Sequence, residues 1–175
     1  SMLRAAGLKV GLYTSPHLVE VNERIRLDGA PISDGAFAAC ATELLDRYPE
    51  AKSEADPLTY FELGTALALL AFSRAKVDAV VLETGLGGRL DATNAAPARV
   101  TAITRIALDH TAVLGPTLQA IAAEKAGIFK PGAEVVIGRQ PAEALEVLQS
   151  RAEAIAGGAR VAGRDFRLVE EAGGL

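Results

Sequence analysis

The chain has 175 residues, half of them apolar (50%), and a formal charge of −4. That is enough for one domain with a sizeable core. The absence of a basic run or an Arg/Lys stripe argues against nucleic acid or an anionic membrane as partner, and no unbroken apolar stretch reaches the length of a membrane span. The single cysteine, Cys40, rules out an internal disulfide framework. No signal-peptide pattern opens the sequence, and both features fit a reducing cytoplasm.

In chain order, Leu3 to Gly7 reads as the last turn of a helix with a glycine cap. Leu8 to Tyr13 reads as a short strand, ended by Thr14-Ser15-Pro16-His17. Asn22 to Gly29 alternates polar and apolar residues and closes on Asp-Gly, a hairpin signal. Ser33 is placed to cap a helix over 34–47, with Phe37, Cys40, Ala41, Leu44 and Leu45 on its apolar face. Pro49 to Pro57 reads as a loop, and Leu58 to Ala75 as a deeply buried helix, because it is apolar nearly all round. Val77 to Leu82 then reads as a buried strand with Glu83 at its end.

Gly85-Leu86-Gly87-Gly88-Arg89-Leu90-Asp91-Ala92-Thr93-Asn94 follows. Three glycines let backbone approach another group closely, and the flanking charges point to an ionic ligand. Further strands are predicted over 99–106, 134–138 and 166–169. Helices are predicted over 117–126 and 142–156, the second ended by Gly157-Gly158. The stretch 157–164 is the least ordered candidate, with 157–175 as a linker or last strand. Strands alternating with helices give an α/β fold with a mainly parallel sheet and helices on both faces, in one domain over 1–175.

Three polar clusters stand at predicted strand ends: Ser15 with His17, Glu83 with the glycine loop to Asp91, and Asp109 with His110. In a parallel sheet they share the ligand-binding edge. Hydroxyl and carboxylate oxygens suit Mg²⁺ completed by phosphate and water, whereas histidine alone points to a transition metal. A carboxylate buried at a strand end demands a partner, which makes Glu83 the strongest single residue. Each cluster also has a plain structural meaning. Ser before Pro is a turn residue, Asp-His is a cap with a surface histidine, and the glycine loop half-matches a dinucleotide fingerprint whose third glycine is replaced by Leu90. By spacing alone Lys125 is a solvated lysine at a helix C-terminus, and Cys40 is a core residue.

Taken together, Thr14-Ser15-Pro16-His17-Leu18, Glu23-Arg24-Ile25, Leu58-Thr59-Tyr60-Phe61-Glu62, Glu83 to Asn94, Leu108-Asp109-His110-Thr111 and Glu124-Lys125-Ala126-Gly127-Ile128 resemble, in order, the bacterial folylpolyglutamate synthase/dihydrofolate synthase family of the Mur ligase superfamily. The resemblance runs to about Gly138. It implies the central, P-loop NTPase-like domain of an ATP-dependent ligase. Such an enzyme activates a carboxylate of dihydropteroate or folate as an acyl phosphate and joins it to L-glutamate. By the same resemblance, Ser15 and Glu83 hold one Mg²⁺ and His110 a second, the two ions expected with nucleotide. Lys125 is carbamylated, and Lys125, Asp91 and His110 are catalytic. Asp91 and Thr59, Tyr60, Phe61 and Glu62 lie at the substrate, Phe61 against its aromatic rings. Carbamylation needs a neutral amine, so the expected site lowers the lysine pKa.

The sequence departs from the family in lacking its phosphate loop, for no Gly-Lys-Ser/Thr occurs in these residues. By the same resemblance, these residues are expected to stop short of the family's C-terminal domain. The expectation is therefore a central domain incomplete at its N-terminus. It would be inactive alone, monomeric in its parent and self-associating in isolation through exposed edges. Another Mur-type ligase of cell-wall precursors, or a truncated non-catalytic module that binds a pterin or a protein, remain the alternatives.

Overall fold

The computed structural model describes residues 2–52 and 57–167. The chain divides into two compact units, Ser1–Gly85 and Leu86–Leu175. Each carries its own sheet, and the parallel strand pairs make the fold α/β.

The first unit opens with the short helix α1 (Met2–Ala5) and strand β1 (Val10–Tyr13). A 3₁₀ turn over Val21–Arg24 then leads into β2 (Ile25–Leu27) and β3 (Ala30–Pro31). The alternation beginning at Asn22 thus becomes a strand only from Ile25. Asp28 and Gly29 link β2 to β3 with φ of 51° and 91°, as a two-residue hairpin turn requires. Asp28 Oδ1 also accepts from the Val10 amide at 2.8 Å, tying the hairpin to β1. Helix α2 (Asp34–Arg47) starts where expected because Ser33 accepts from the Ala36 amide. A 3₁₀ turn over Pro49–Lys52 replaces the first part of the predicted loop; 53–56 lie outside the described residues.

Helix α3 (Tyr60–Ala75) and strand β4 (Ala79–Leu82) complete this unit. The sheet order is β3-β2-β1-β4, with β1 and β4 parallel and the other two pairs antiparallel. Two expectations are corrected here. Helix α3 is buried along one face only, at Thr65, Leu67, Ala68, Ala71 and Phe72, because it packs on β1, β2 and α2 from one side. Strand β4 is not buried: Val80 and Val81 are 42% and 43% exposed. Among the described residues it lies at the edge of its sheet with β1 as its sole partner, so its apolar run reflects strand propensity rather than enclosure.

The second unit contains β5 (Val100–Ile103), α4 (Thr111–Leu114), α5 (Leu118–Lys125), β6 (Glu134–Ile137), α6 (Ala142–Ala156) and β7 (Arg160–Val161). Its three strands are all parallel, in the order β5-β6-β7. Ala144, Leu148 and Ala152 recur every fourth residue along α6 and are wholly buried, the stripe an amphipathic helix lays on a core. Ile121, Ile137 and Leu148 centre that core, each stabilising it by roughly 1.5–3 kcal/mol.

The third correction concerns 157–164. A strand lies at Arg160–Val161, within the stretch expected to be least ordered. Pairing with Val136 and Ile137 holds it, and Asp165 Oδ2 accepts from the Val161 amide at 2.7 Å. Phe166 makes only an isolated bridge to Ala162, and 168–175 lie outside the described residues.

Candidate functional site

In the first unit, Ser15 and Glu83 meet just beyond the carboxyl ends of β1 and β4, the usual ligand edge of a parallel pair. The Ser15 amide donates to Glu83 Oε2 at 2.9 Å, and the Glu83 amide donates to the Tyr13 carbonyl at 2.9 Å. The expectation of a buried carboxylate is corrected with that of its strand, for Glu83 is exposed and is held by an amide instead. A hydroxyl and a carboxylate so placed present oxygen donors to solvent. Among the described residues, no cluster of three or more His, Cys, Asp or Glu forms a metal cage.

Around them runs a loop with a cis Ser15–Pro16 bond. Glu23 organises it, accepting from the amides of Leu18, Val19 and Glu20 at 2.9–3.0 Å. Those amides, Glu20 first, then Leu18 and Val19, lower its carboxyl from the usual 4.5 to about 2. His17 Nδ1 accepts from Arg24 Nε at 2.9 Å, and the Arg24 guanidinium lies 5.2 Å from the centre of the Tyr60 ring. The sequence reading gave Arg24 no role. Nothing local signals the stacking, because Tyr60 comes from a different element.

The segment Thr59-Tyr60-Phe61-Glu62 forms the start of α3. Thr59 and Glu62 make a reciprocal capping box: the Thr59 amide and hydroxyl donate to Glu62 Oε2 at 2.8 and 2.7 Å, and the Glu62 amide donates to Thr59 Oγ1 at 3.2 Å. The Thr59 amide and hydroxyl hold the Glu62 carboxyl below its usual value. Phe61 lies against Tyr13, ring centres 5.9 Å apart, and over Gly85, where a Cβ would fall 2.5 Å from the Phe61 ring. Tyr60 is exposed.

In the second unit, Asp91 shapes the glycine loop from within. Its Oδ2 accepts from the Leu86 amide at 2.9 Å and its Oδ1 from the Thr93 amide at 3.0 Å. Asp109 and His110 follow β5. Asp109 Oδ1 accepts from the His110 amide at 2.7 Å, and His110 Nε2 lies 3.6 Å from Asp109 Oδ2, with both side chains exposed. His110 has φ 49° and ψ 36°, a left-handed conformation that a residue with Cβ adopts at a cost. Lys125 ends α5, half-buried, and among the described residues no hydrogen bond or ion pair engages its amine.

Ser15, Glu83 and the Asp109–His110 pair stand in loops that follow parallel strands, the pattern of a ligand-binding α/β protein, while Thr59 to Glu62 open α3 and Lys125 ends α5. Among the described residues no helix is long and apolar enough to cross a membrane. No family model matches the chain. Known proteins resemble it closely, however. The dihydrofolate synthase/folylpolyglutamate synthase of Escherichia coli is 46% identical over 153 residues, covering 86% of this chain and 35% of that protein. The E. coli FolC structure with DHPP and ADP superposes with a TM-score of 0.86 at 42% identity, covering 98% of this chain and 40% of its own. The FPGS-AMPPCP-folate complex gives 0.88 at 39% identity, with 96% and 42% covered. The chain belongs to the folylpolyglutamate synthase/dihydrofolate synthase family and spans roughly a third to two-fifths of the length of these relatives.

Proposed function

We propose that these residues are the central part of an ATP-dependent ligase that joins L-glutamate to dihydropteroate, to folate, or to both. In the reaction, a substrate carboxylate takes the γ-phosphoryl group of ATP, giving an acyl phosphate and ADP. The glutamate amine then attacks the acyl carbon, and inorganic phosphate leaves. The observation that carries the reading is the Ser15–Glu83 pair, fixed at 2.9 Å beyond two parallel strands, in a chain whose relatives hold nucleotide and pteridine ligands.

The donor set at Ser15 and Glu83 fits Mg²⁺, which is commonly bound by one or two carboxylates with phosphate and water completing its shell. Ser15 and Glu83 would hold the first ion and His110 a second. When bound, Mg²⁺ neutralises charge developing on the transferred phosphoryl group. The chain's own residues do the rest. The Ser15 amide keeps Glu83 in one rotamer. Glu23 fixes the loop that carries Ser15 and His17. His110, at the start of α4, presents an exposed imidazole. Lys125, its amine unengaged, is positioned to react with CO₂ and lose a proton, forming a carbamate. Asp91 holds the glycine loop in shape, and Tyr60, Phe61 and the Thr59–Glu62 cap form an aromatic ledge for the pteridine. We place the protein in the cytoplasm, where its single cysteine stays reduced.

The test is ADP release by the full-length protein with ATP, Mg²⁺, glutamate and dihydropteroate or tetrahydrofolate, with a UDP-linked peptide as the competing acceptor. Pteridine- and glutamate-dependent release, lost in Glu83→Gln, is expected. Release driven only by the cell-wall acceptor would overturn the folate reading.

A further inference from the structure

Lys125 lies on a turn that the glycine loop grips at several points. The Arg89 amide donates to the Glu124 carbonyl at 3.0 Å, and Arg89 Nε and Nη2 both donate to Glu124 Oε1 at 3.1 Å. Asn94 Nδ2 donates to the Arg89 carbonyl at 3.0 Å and to the Gly127 carbonyl at 3.1 Å. Turning that amide over would set Oδ1 against two carbonyl oxygens, so its orientation is fixed. Lys130 Nζ closes the far side, donating to the Asn94 carbonyl at 2.8 Å. The backbones touch as well. A Cβ on Gly88 would fall 2.9 Å from the carbonyl oxygens of both Glu124 and Lys125, and one on Gly127 would fall 2.4 Å from Arg89 Cβ.

From this we infer that the loop and the turn form a latch, in which Arg89 and Asn94 are positioning residues that set the place of Lys125. The inference rests on the reading of Lys125 given above. Bonds at Glu124 and Gly127 bracket Lys125, and the Gly88 approach meets its carbonyl. A shift of the loop therefore moves the lysine backbone, and displacements of about 1 Å at a reacting group cost up to a hundredfold in rate. Arg89 and Glu124 are suited to testing this. Their side chains are 57% and 31% exposed, so removing either leaves the core intact.

The experiment is a double-mutant cycle in the full-length protein with Arg89→Ala, Glu124→Ala and the pair, and with Arg89→Lys as the conservative variant. Alongside it, hydrogen exchange is followed at the Arg89 amide. The Ala162 amide, bonded to the Ile137 carbonyl, serves as control. We expect each single variant to lower kcat by about tenfold with KM within about twofold, and the double to fall no further than either single. Arg89→Lys should recover part of the loss. Exchange should quicken at Arg89 and not at Ala162. Faster exchange with unchanged kcat would overturn the positioning role, as would losses that simply add. Undiminished turnover in Lys125→Ala would overturn it by a different route, through the reading on which it rests.

Discussion

Glu23 and His110 are single residues whose surroundings make opposite demands. Three amides hold the Glu23 carboxylate, so its folded pKa of about 2 lies below the usual 4.5. A depressed folded pKa means that the stabilisation is complete above the unfolded value and is lost as pH falls through the folded one. The Leu18, Val19 and Glu20 amide shifts should therefore titrate together with a midpoint near 2. NMR titration checks this; a common midpoint near 4.5 would mean that the carboxylate does not hold the loop. His110 runs the other way. Its left-handed backbone is relieved by glycine, so His110→Gly should gain about 1 kcal/mol by thermal denaturation. In the full-length protein it should lose activity through the missing imidazole. A variant that is both destabilised and fully active would refute both expectations.

At the scale of elements, caps and close approaches decide where chains turn. Thr59→Ala should cost about 1 kcal/mol through loss of the capping box, read by denaturant unfolding. A change in ligand affinity without any stability loss would show Thr59 to be a contact residue alone. Gly127→Ala forces a methyl onto Arg89 and should destabilise by about 1–3 kcal/mol; a neutral effect would mean that the turn yields freely. The same scale explains what the sequence revealed. Helices α2, α3, α5 and α6 were legible because their boundaries are written locally, in Ser33, Thr59, Thr117 and Gly157. Ser15, Glu83, Asp91 and His110 stood out as polar residues where periodic segments stop, whereas Lys125 reads by spacing as a solvated lysine and only the resemblance singles it out. Strand β7 was hidden because two residues beside glycines carry no period, and only pairing with β6 makes them a strand. The exposure of β4 was hidden because its composition matches a buried strand. The Arg89–Glu124 contact was hidden because 35 residues separate the partners.

For the whole molecule, the open side of β4 sets the behaviour in solution. Val80 and Val81 present apolar surface at a sheet edge, a template for pairing with another chain. The 175-residue chain should show concentration-dependent association by sedimentation, weakened by Val81→Lys. A monomer at every concentration would rule this out. The same chain should not turn over ATP, since its residues include no Gly-Lys-Ser/Thr loop to hold the β- and γ-phosphates; glutamate-dependent ADP release from it would refute that.

The parallel pairing of β1 with β4 has a consequence for synthesis. Val10 cannot find Ala79 until the hairpin, α2 and α3 have all left the ribosome, whereas Val100 meets Glu134 after a crossover of half that length. Closing the longer crossover costs only slightly more entropy, but contacts so distant in sequence form slowly. The first-made unit therefore stays unclosed for as long as the chain between Val10 and Ala79 takes to emerge. Until β4 arrives, Tyr13 and Phe72 wait in a half-built core, and a chaperone that engages the nascent chain would meet them there.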